Sequence, residues 1–297
     1  MLSNQSQEQP PYHIPVMVNE VMDLLITHPN GIYLDGTVGL GGHAAHILNA
    51  LSDSARLLGL DRDEKALEIC NKRLSNSGAF SCHHTSYDTF PNILKQEGLT
   101  TVNGFLLDLG LSSFQLDSPT LGFSFKQSGN LDMRFNPTEG KTAAQLIRYT
   151  SESDLADIFY TYGEERLSRR IAKSVKNMAV MESIADLKEA VRRSTPPKHR
   201  HKSLARIFQA LRIAVNDELG RLQNFLEVFI DYLAPNGRIV ILSYHSLEDR
   251  MVKHAFKNLA KKNMLSIVTK KPLPPTQKEQ TINSRSRSAK LRAAERI

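Results

Sequence analysis

The sequence has few cysteines and no long apolar run, and both absences restrict the kind of protein it encodes. Cys70 and Cys82 are its two cysteines, and their spacing fits neither a disulfide framework nor a metal site. No apolar stretch approaches the roughly 20 residues that span a bilayer. Residues 1–11 are polar, where a secretory signal has an apolar core. We therefore expect a cytoplasmic protein without a membrane segment or a metal centre.

The composition is typical of a globular protein, but the charge is unevenly distributed. Hydrophobic residues make up 40% of the chain and charged residues 23%, and the net charge is +7. Residues 270–297 contain eight Lys or Arg and two Glu, which gives this segment a net charge of +6. We expect a basic, partly flexible tail over residues 271–297 that contacts a polyanion such as RNA. A solvated terminus without a partner explains the same charges equally well.

The stretch over residues 33–44 predicts a strand, a glycine loop and a helix. An apolar run ends at Asp35, and Asp61 ends the next apolar run. Between them, four glycines occur within seven residues: Gly36, Gly39, Gly41 and Gly42. Glycines let the backbone approach a ligand where any Cβ would clash. Because two acids at consecutive strand ends suit ribose hydroxyls, the pattern indicates an adenosine-type cofactor.

Two cofactors fit this loop. Residues 39–44 match the dinucleotide pattern G-x-G-x-x-A, with Asp61 at the position of the ribose acid. Asp35 favours S-adenosylmethionine, because a carboxylate repels a pyrophosphate but attracts a cationic amino-acid tail and a sulfonium. From the loop alone, a nicotinamide dehydrogenase stays open, as does a glycine turn that binds nothing.

Five short apolar runs predict strands of a parallel sheet, because helical patterns separate the early ones. The runs are residues 32–35, 57–61, 80–83, 105–108 and 238–243. The interval between the last two is far longer than one crossover needs, and its middle is helical in pattern over residues 143–149, 153–160, 164–180 and 184–193. We predict an α/β core formed by residues 1–114 and 220–297, with an inserted all-helical domain over residues 115–219.

Polar side chains after the fourth and fifth runs are candidates for the chemistry. Asp108 ends the fourth run, where an oxygen can hold an exocyclic amine and accept its proton. A helix cap is the alternative role for Asp108. His245 follows the fifth run, but the sequence shows no nucleophile with which it would form a catalytic pair. A capping box at residues 246–249 is an equally good interpretation of this segment.

Aromatic residues interleaved with charges occur at the start of the predicted insertion. Phe123, Phe125 and Phe135 lie near Asp132 and Arg134, a composition that suits a platform on which bases stack. Core packing under a loop is at least as good an explanation. A basic loop predicted over residues 196–202 has the charge for RNA phosphates.

Seven motifs follow one another along the chain, at residues 33–43, 107–113, 122–125, 131–134, 162–166, 208–213 and 245–250. Together they resemble the RsmH (MraW) family of bacterial S-adenosylmethionine-dependent methyltransferases, over nearly the whole chain from His13 to Arg296. The resemblance implies a Rossmann-like class I methyltransferase core whose helical insertion recognises the substrate. It also implies N4-methylation of one cytosine near the decoding centre of 16S rRNA, within the small ribosomal subunit.

The resemblance implies cofactor contacts at seven positions, with Asp35 and Gly39 in support. They are Gly41, Gly42, His43, Asp61, Tyr87, Asp108 and Gln115. The family usually has Phe where Tyr87 aligns, so Phe90, three residues further on, is the alternative aromatic contact.

For the methyl transfer, Asp108 is the first candidate to accept a hydrogen bond and a proton from the amine, and His245 is the second. A site that only positions the amine through backbone carbonyls is an alternative. A non-catalytic RNA-binding or ribosome-assembly protein would also explain the basic tail.

Overall fold

The structure is a computed structural model that describes residues 15–75, 77–112, 115–116, 118 and 120–297. These residues form two compact units. The first unit is Met1–Gly110 with Val228–Ile297, and the second is Leu111–Glu227. The boundaries predicted next to residues 115 and 219 lie inside the second unit, near its two ends.

A seven-stranded sheet forms the centre of the first unit. Its strands are β1 Ile32–Asp35, β2 Arg56–Asp61, β3 Phe80–His84, β4 Val102–Asp108, β5 Leu233–Ser243, β6 Leu265–Ile267 and β7 Lys290–Arg296. Their order is β3-β2-β1-β4-β5-β7-β6, in which β1 to β5 are parallel and β7 is antiparallel to both neighbours. The five predicted strands and the Rossmann-like α/β fold are confirmed, whereas the apolar runs do not predict β6 or β7.

The described residues also form twelve α-helices. They are α1 Val18–Leu25, α2 Gly42–Ala50, α3 Glu64–Leu74, α4 Phe90–Gln96, α5 Ala143–Tyr149, α6 Glu152–Thr161, α7 Ser168–Lys176, α8 Ile184–Ser194, α9 Arg200–Asn216, α10 Glu218–Tyr232, α11 Ser246–Lys261 and α12 Gln277–Ile282. In this part of the chain, no helix is long and apolar enough to cross a membrane.

Helices α5 to α9 lie in the second unit, and local capping explains where several of them begin. Thr142 and Ser183 each close a capping box with the residue three positions later, at α5 and α8. The single helix predicted over residues 164–180 is wrong in extent, because α7 is only Ser168–Lys176. Glu164 has a φ of 49°, which a helix interior does not accommodate.

The second unit has its own apolar core, and it decides between the two roles considered for the aromatic residues. Phe123 is buried in this core and stacks on Phe135, with ring centroids 5.4 Å apart. Phe125 packs edge-on against Phe208 at 5.5 Å. Core packing is therefore what the structure shows for Phe123, and the expectation that this ring forms part of an exposed stacking platform is wrong.

The expectation of a partly flexible basic tail over residues 271–297 is wrong for residues 290–296, which form β7. β7 pairs with both β5 and β6, and Leu291 and Ala293 are fully buried. The Arg292 Nε donates to Asp249 Oδ1 at 2.7 Å, so this arginine stabilises the fold. Positive charges that suggest a polyanion partner in the sequence are, at these positions, parts of the sheet.

Candidate functional site

The loop between β1 and α2 starts where the strand order of the sheet reverses, since β2 and β4 lie on either side of β1. Open α/β sheets bind ligands at this position. Gly39 and Gly41 have φ angles of 51° and 77°, in the left-handed region that favours glycine. At Gly36, a Cβ would lie 2.4 Å from Leu107 Cδ2 and 2.8 Å from Tyr87 Cβ. The glycines are therefore required for the path of the loop itself.

Asp35 is the buried carboxylate at the end of β1, with 1% of its surface exposed. Its Oδ1 accepts a hydrogen bond from the Thr37 backbone N at 3.1 Å. Desolvation by burial raises the pKa of Asp35 to about 7, although His43 nearby opposes the shift. A positive ligand group would favour the ionised carboxylate, so this site suits a cation.

Asp61, at the end of β2, connects the glycine loop to the next strand. Its Oδ2 accepts from the Gly39 backbone N at 2.8 Å, and its Oδ1 accepts from the Asp63 backbone N at 2.9 Å. Desolvation raises the pKa of Asp61 to about 6. The Arg62 backbone N–H bonds to Asp61 as well. Since a carboxylate has about four acceptor positions, Asp61 keeps one for a ribose hydroxyl.

The structure distinguishes between the two aromatic candidates. Phe90 is fully buried and packs edge-on against Phe105 and Tyr232, with ring centroids 4.9 Å and 5.2 Å away. Tyr87 is half-buried, and its Cβ is next to Gly36 in the glycine loop. Phe90 is therefore a core residue, and the contact of Tyr87 with the cofactor stays a prediction.

Asp108 ends β4 beside the glycine loop, and its side chain is 22% exposed. Its backbone N donates to Thr37 Oγ1 at 2.7 Å. Its Oδ2 lies 3.5 Å from the Nε2 of His43, a residue of α2. His43 is 6% exposed, and neither of its ring nitrogens has a hydrogen-bond partner among the described residues. Such orphaned buried nitrogens are typical of a site that receives a polar ligand.

Tyr244 belongs to this site, although its sequence position does not reveal it. Its hydroxyl donates to Asp108 Oδ1 at 2.7 Å, and the two residues are 136 positions apart in the chain. Burial raises the pKa of Tyr244 well above its usual range, so the hydroxyl keeps its proton. The available signal was that the residue directly follows β5, the neighbour of β4.

His245 has a structural role in this geometry. It is the N-cap of α11, and its Nδ1 accepts from the Glu248 backbone N at 3.3 Å. Its Nε2 lies 3.1 Å from Glu248 Oε1. The capping box thus closes between His245 and Glu248 rather than between Ser246 and Asp249. These contacts add no support to His245 as a proton acceptor, and that role stays a prediction.

Gln115 is a buried residue of the second unit. Its Oε1 accepts from the Ser112 backbone N at 3.2 Å, and its own backbone N donates to Ser112 Oγ at 3.1 Å. Its predicted contact with the cofactor stays a prediction.

Comparison with known proteins identifies the family. The model of the MraW methylase family matches residues 11–297. Proteins called ribosomal RNA small subunit methyltransferase H are similar over nearly their full length. The protein from Trichodesmium erythraeum is 45% identical over 290 residues, which are 96% of this chain and 99% of that protein. The protein from Thermosipho africanus is 44% identical, and the match covers 96% and 98% of the two chains.

The chain belongs to the MraW methylase family. A solved rRNA methylase from Streptococcus thermophilus has a TM-score of 0.42 and 12% identity, over 94% of this chain and 93% of that one. This likeness is too remote to add to the assignment, which rests on sequence.

As a MraW methylase, the protein is an S-adenosylmethionine-dependent methyltransferase, as predicted. The residues present fit this cofactor. The left-handed glycines keep side chains out of the loop, and His43, in the first turn of α2, has two buried ring nitrogens without a hydrogen-bond partner among the described residues. Asp35 is a buried carboxylate, which attracts a cationic group. The same carboxylate would repel a pyrophosphate. Membership of this methyltransferase family decides against the dehydrogenase and the non-catalytic alternatives.

A substitution in the glycine loop of this MraW methylase tests the need for its geometry. At Gly41, a Cβ would lie 2.8 Å from Cys70 Sγ in addition to adopting an unfavourable φ. We expect Gly41→Ala to lower the free energy of unfolding by about 2–4 kcal/mol, combining backbone strain and overpacking. Denaturant unfolding followed by circular dichroism measures this change.

Gly98→Ala is the matched control for Gly41→Ala. Gly98 also has a positive φ, 67°, but a Cβ there meets nothing within 4 Å. Gly98→Ala should lower the free energy of unfolding by only about 1–2 kcal/mol, the contribution of backbone strain. Equal losses in the two variants would show that the contact with Cys70 is unimportant.

Proposed function

We propose that this methylase transfers a methyl group to the exocyclic N4 amine of a cytosine near the decoding centre of 16S rRNA, within the small ribosomal subunit in the cytoplasm. The names of its relatives support the substrate. The observation that carries the chemistry is the placement of Asp108. This carboxylate is partly exposed at a strand end beside the glycine loop, and both its backbone and one of its oxygens are held in place.

Several residues of the first unit would hold the cofactor. Asp61 would accept from a ribose hydroxyl, and Tyr87 would offer its ring to the adenine. Asp35 would face the cationic part of the molecule. The loop residues Gly41, Gly42 and His43 would line the remaining side, and Gln115 is a further predicted contact. When bound, S-adenosylmethionine supplies an electrophilic methyl group.

The acceptor nitrogen needs help from the protein, because its lone pair is delocalised into the cytosine ring. Asp108 would accept a hydrogen bond from one N–H of the amine and so restore part of its nucleophilicity. The same carboxylate would then take up the proton that the amine loses. Most of the rate would come from holding the two reactants in line. The base must be unpaired or leave its stack to reach the site.

The second unit carries cations suited to an RNA backbone. On α7, Ile171 and Val175 face the core, whereas Arg169, Arg170 and Lys173 are exposed. No ion pair among the described residues engages these three cations. A solvated helix face is the ordinary explanation for such charges, so their contribution to substrate binding requires a direct test.

We expect the double variant Arg169→Gln/Arg170→Gln to bind small ribosomal subunits more weakly. Each lost phosphate contact should reduce the slope of log K against log salt by about 1, so the double variant should lose about 2. S-adenosylmethionine affinity should not change. Filter binding of labelled subunits across a salt series gives the slope, and calorimetry gives the cofactor affinity.

Arg192→Gln/Arg193→Gln on α8 is the matched control. It removes the same charge from the same unit, but both arginines already donate to Glu189. If the two double variants weaken RNA binding equally, the effect is one of net charge and α7 is not a specific contact.

A methyl-transfer assay tests the proposed function directly. The protein is incubated with labelled S-adenosylmethionine and small subunits from a strain that lacks the enzyme, and the RNA is then digested to nucleosides. Label in N4-methylcytidine is the expected result. Label in another nucleoside, or label only in free RNA fragments of unrelated sequence, would contradict the proposed acceptor.

A further inference from the structure

We propose that Tyr244 is a positioning residue for the methyl transfer and acts through Asp108. Its hydroxyl occupies one carboxylate oxygen, Oδ1, so that the other oxygen, Oδ2, is the one that meets the substrate amine. This inference rests on the proposed function, because it specifies how the acceptor carboxylate of that reaction is oriented.

The hydroxyl and the backbone hold Asp108 at two separate points. The Tyr244 hydroxyl donates to Oδ1 at 2.7 Å, and Thr37 Oγ1 accepts from the Asp108 backbone N at 2.7 Å. Hydrogen bonds to a carboxylate are among the stronger ones in proteins. With both points fixed, rotation of the carboxylate about its last torsion is restricted.

The tyrosine ring is itself held rigidly. Gly110 faces it so closely that a Cβ there would lie 2.7 Å from Tyr244 Cε2. The Tyr244 backbone N donates to Glu248 Oε2 at 2.9 Å, and Glu248 is 2% exposed within the capping box of α11. The box that uses His245 thus also fixes the residue that orients Asp108.

As a consequence, the two oxygens of Asp108 have different roles: Oδ1 is held by Tyr244 and Oδ2 faces the amine. Oδ1 accepts from Tyr244, which keeps its own proton because the buried hydroxyl resists ionisation. Oδ2 lies on the side of His43, at 3.5 Å from Nε2. In the transfer, the N–C bond would form as the bond between the methyl carbon and the donor's sulfur breaks, with its electron pair staying on sulfur. The amine nitrogen would then carry a surplus proton, and Oδ2 would take that proton.

Tyr244→Phe removes only the hydroxyl and keeps the ring against Gly110. We expect kcat to fall about tenfold, the size of one hydrogen bond to a charged group, with the KM for RNA unchanged within about twofold. The Kd for S-adenosylmethionine, measured by calorimetry, should also stay within about twofold. Tyr160→Phe is the control, because it makes the same change at a tyrosine that is 65% exposed on α6.

A double-mutant cycle separates positioning from a merely structural role. In an Asp108→Ala background, Tyr244→Phe should change the residual kcat by less than about twofold, because the acceptor through which the hydroxyl acts is then absent. A full tenfold loss in that background would show that Tyr244 acts elsewhere. A loss of cofactor affinity with unchanged kcat would overturn the inference too, since the hydroxyl would then serve binding.

Unfolding of the cofactor-free protein gives a readout that needs no activity. Tyr244→Phe and Asp108→Ala should show coupled effects on the free energy of unfolding, and strict additivity would mean that the hydroxyl and carboxylate do not interact. Failure of the proposed function looks different, since the unmodified protein itself would then not label cytidine. An active parent enzyme with an unaffected Tyr244→Phe variant would refute the inference alone.

Discussion

Asp108→Asn is expected to lower kcat by about 100-fold or more while changing S-adenosylmethionine affinity by less than tenfold. The variant keeps an oxygen that can accept from Tyr244 and one polar group toward the substrate, but it cannot take up a proton. General-base groups typically contribute 10²- to 10⁴-fold to a rate, which sets the size of the loss. Single-turnover assays with small subunits measure the chemical step, and calorimetry measures cofactor binding.

Asp108→Ala and an exposed aspartate complete this experiment. If Asp108 only orients the amine through a hydrogen bond, the Asn variant should be much more active than the Ala variant. If it also accepts the proton, both variants should be nearly inactive. Asp157→Asn, at an exposed position on α6, controls for the charge change. Methylation at the parental rate by Asp108→Ala would remove Asp108 from the chemistry.

Asp35→Asn should have two opposite effects, weaker cofactor binding and a more stable cofactor-free protein. The Kd for S-adenosylmethionine should rise about 30-fold, since an attraction of about 2 kcal/mol between a buried carboxylate and a cation is lost. At pH 8, the free energy of unfolding should increase by about 2–4 kcal/mol, because the variant no longer buries a charge. The Asn oxygen can still accept from the Thr37 backbone N.

The ionisation of Asp35 makes the stability of the parent protein depend on pH. The pKa of Asp35 is raised from 3.8 to about 7 by burial, so its contribution to stability is fully present below about pH 4. Between about pH 4 and pH 7, the native state binds a proton that the unfolded state has released. Stability therefore falls as the pH rises through this window. In the Asn variant, this part of the pH dependence should be absent.

Thermal unfolding of both proteins at pH 5 and pH 8 measures the predicted difference. The melting temperature of Asp35→Asn should exceed that of the parent by more at pH 8 than at pH 5. Asp53→Asn, at an exposed position between α2 and β2, should shift neither value appreciably. A gap that does not depend on pH, or a variant that is less stable at pH 8, would contradict the raised pKa.

The parts of the site that could be predicted from sequence are those at strand ends. Buried parallel strands are continuous apolar runs, so a polar residue that ends such a run is visible without a structure. Asp35, Asp61 and Asp108 all stand at such positions, and the three strands are neighbours in the sheet. The glycine loop was visible for a related reason, since glycines cluster where the backbone needs left-handed angles.

The parts that could not be predicted depend on long-range pairing. Nothing local shows that the Tyr244 hydroxyl donates to Asp108, because that bond follows from the register between β4 and β5. The sequence does not predict β7, because alanine is a weak strand former and arginine usually indicates a solvent-exposed position. Arg292 is nevertheless almost fully buried against Asp249, a partner 43 positions away.

The position of β7 has a consequence for how the chain folds as it is made. β7 is the last strand in the sequence, yet it lies inside the sheet between β5 and β6. Among the described strands, β6 pairs only with β7, so neither β6 nor the outer edge of β5 has its final partner until residues 290–296 emerge from the ribosome. An unpaired edge is a template for aggregation. Nascent chains of this enzyme should therefore depend on chaperones until residues 290–296 have emerged and β7 can pair.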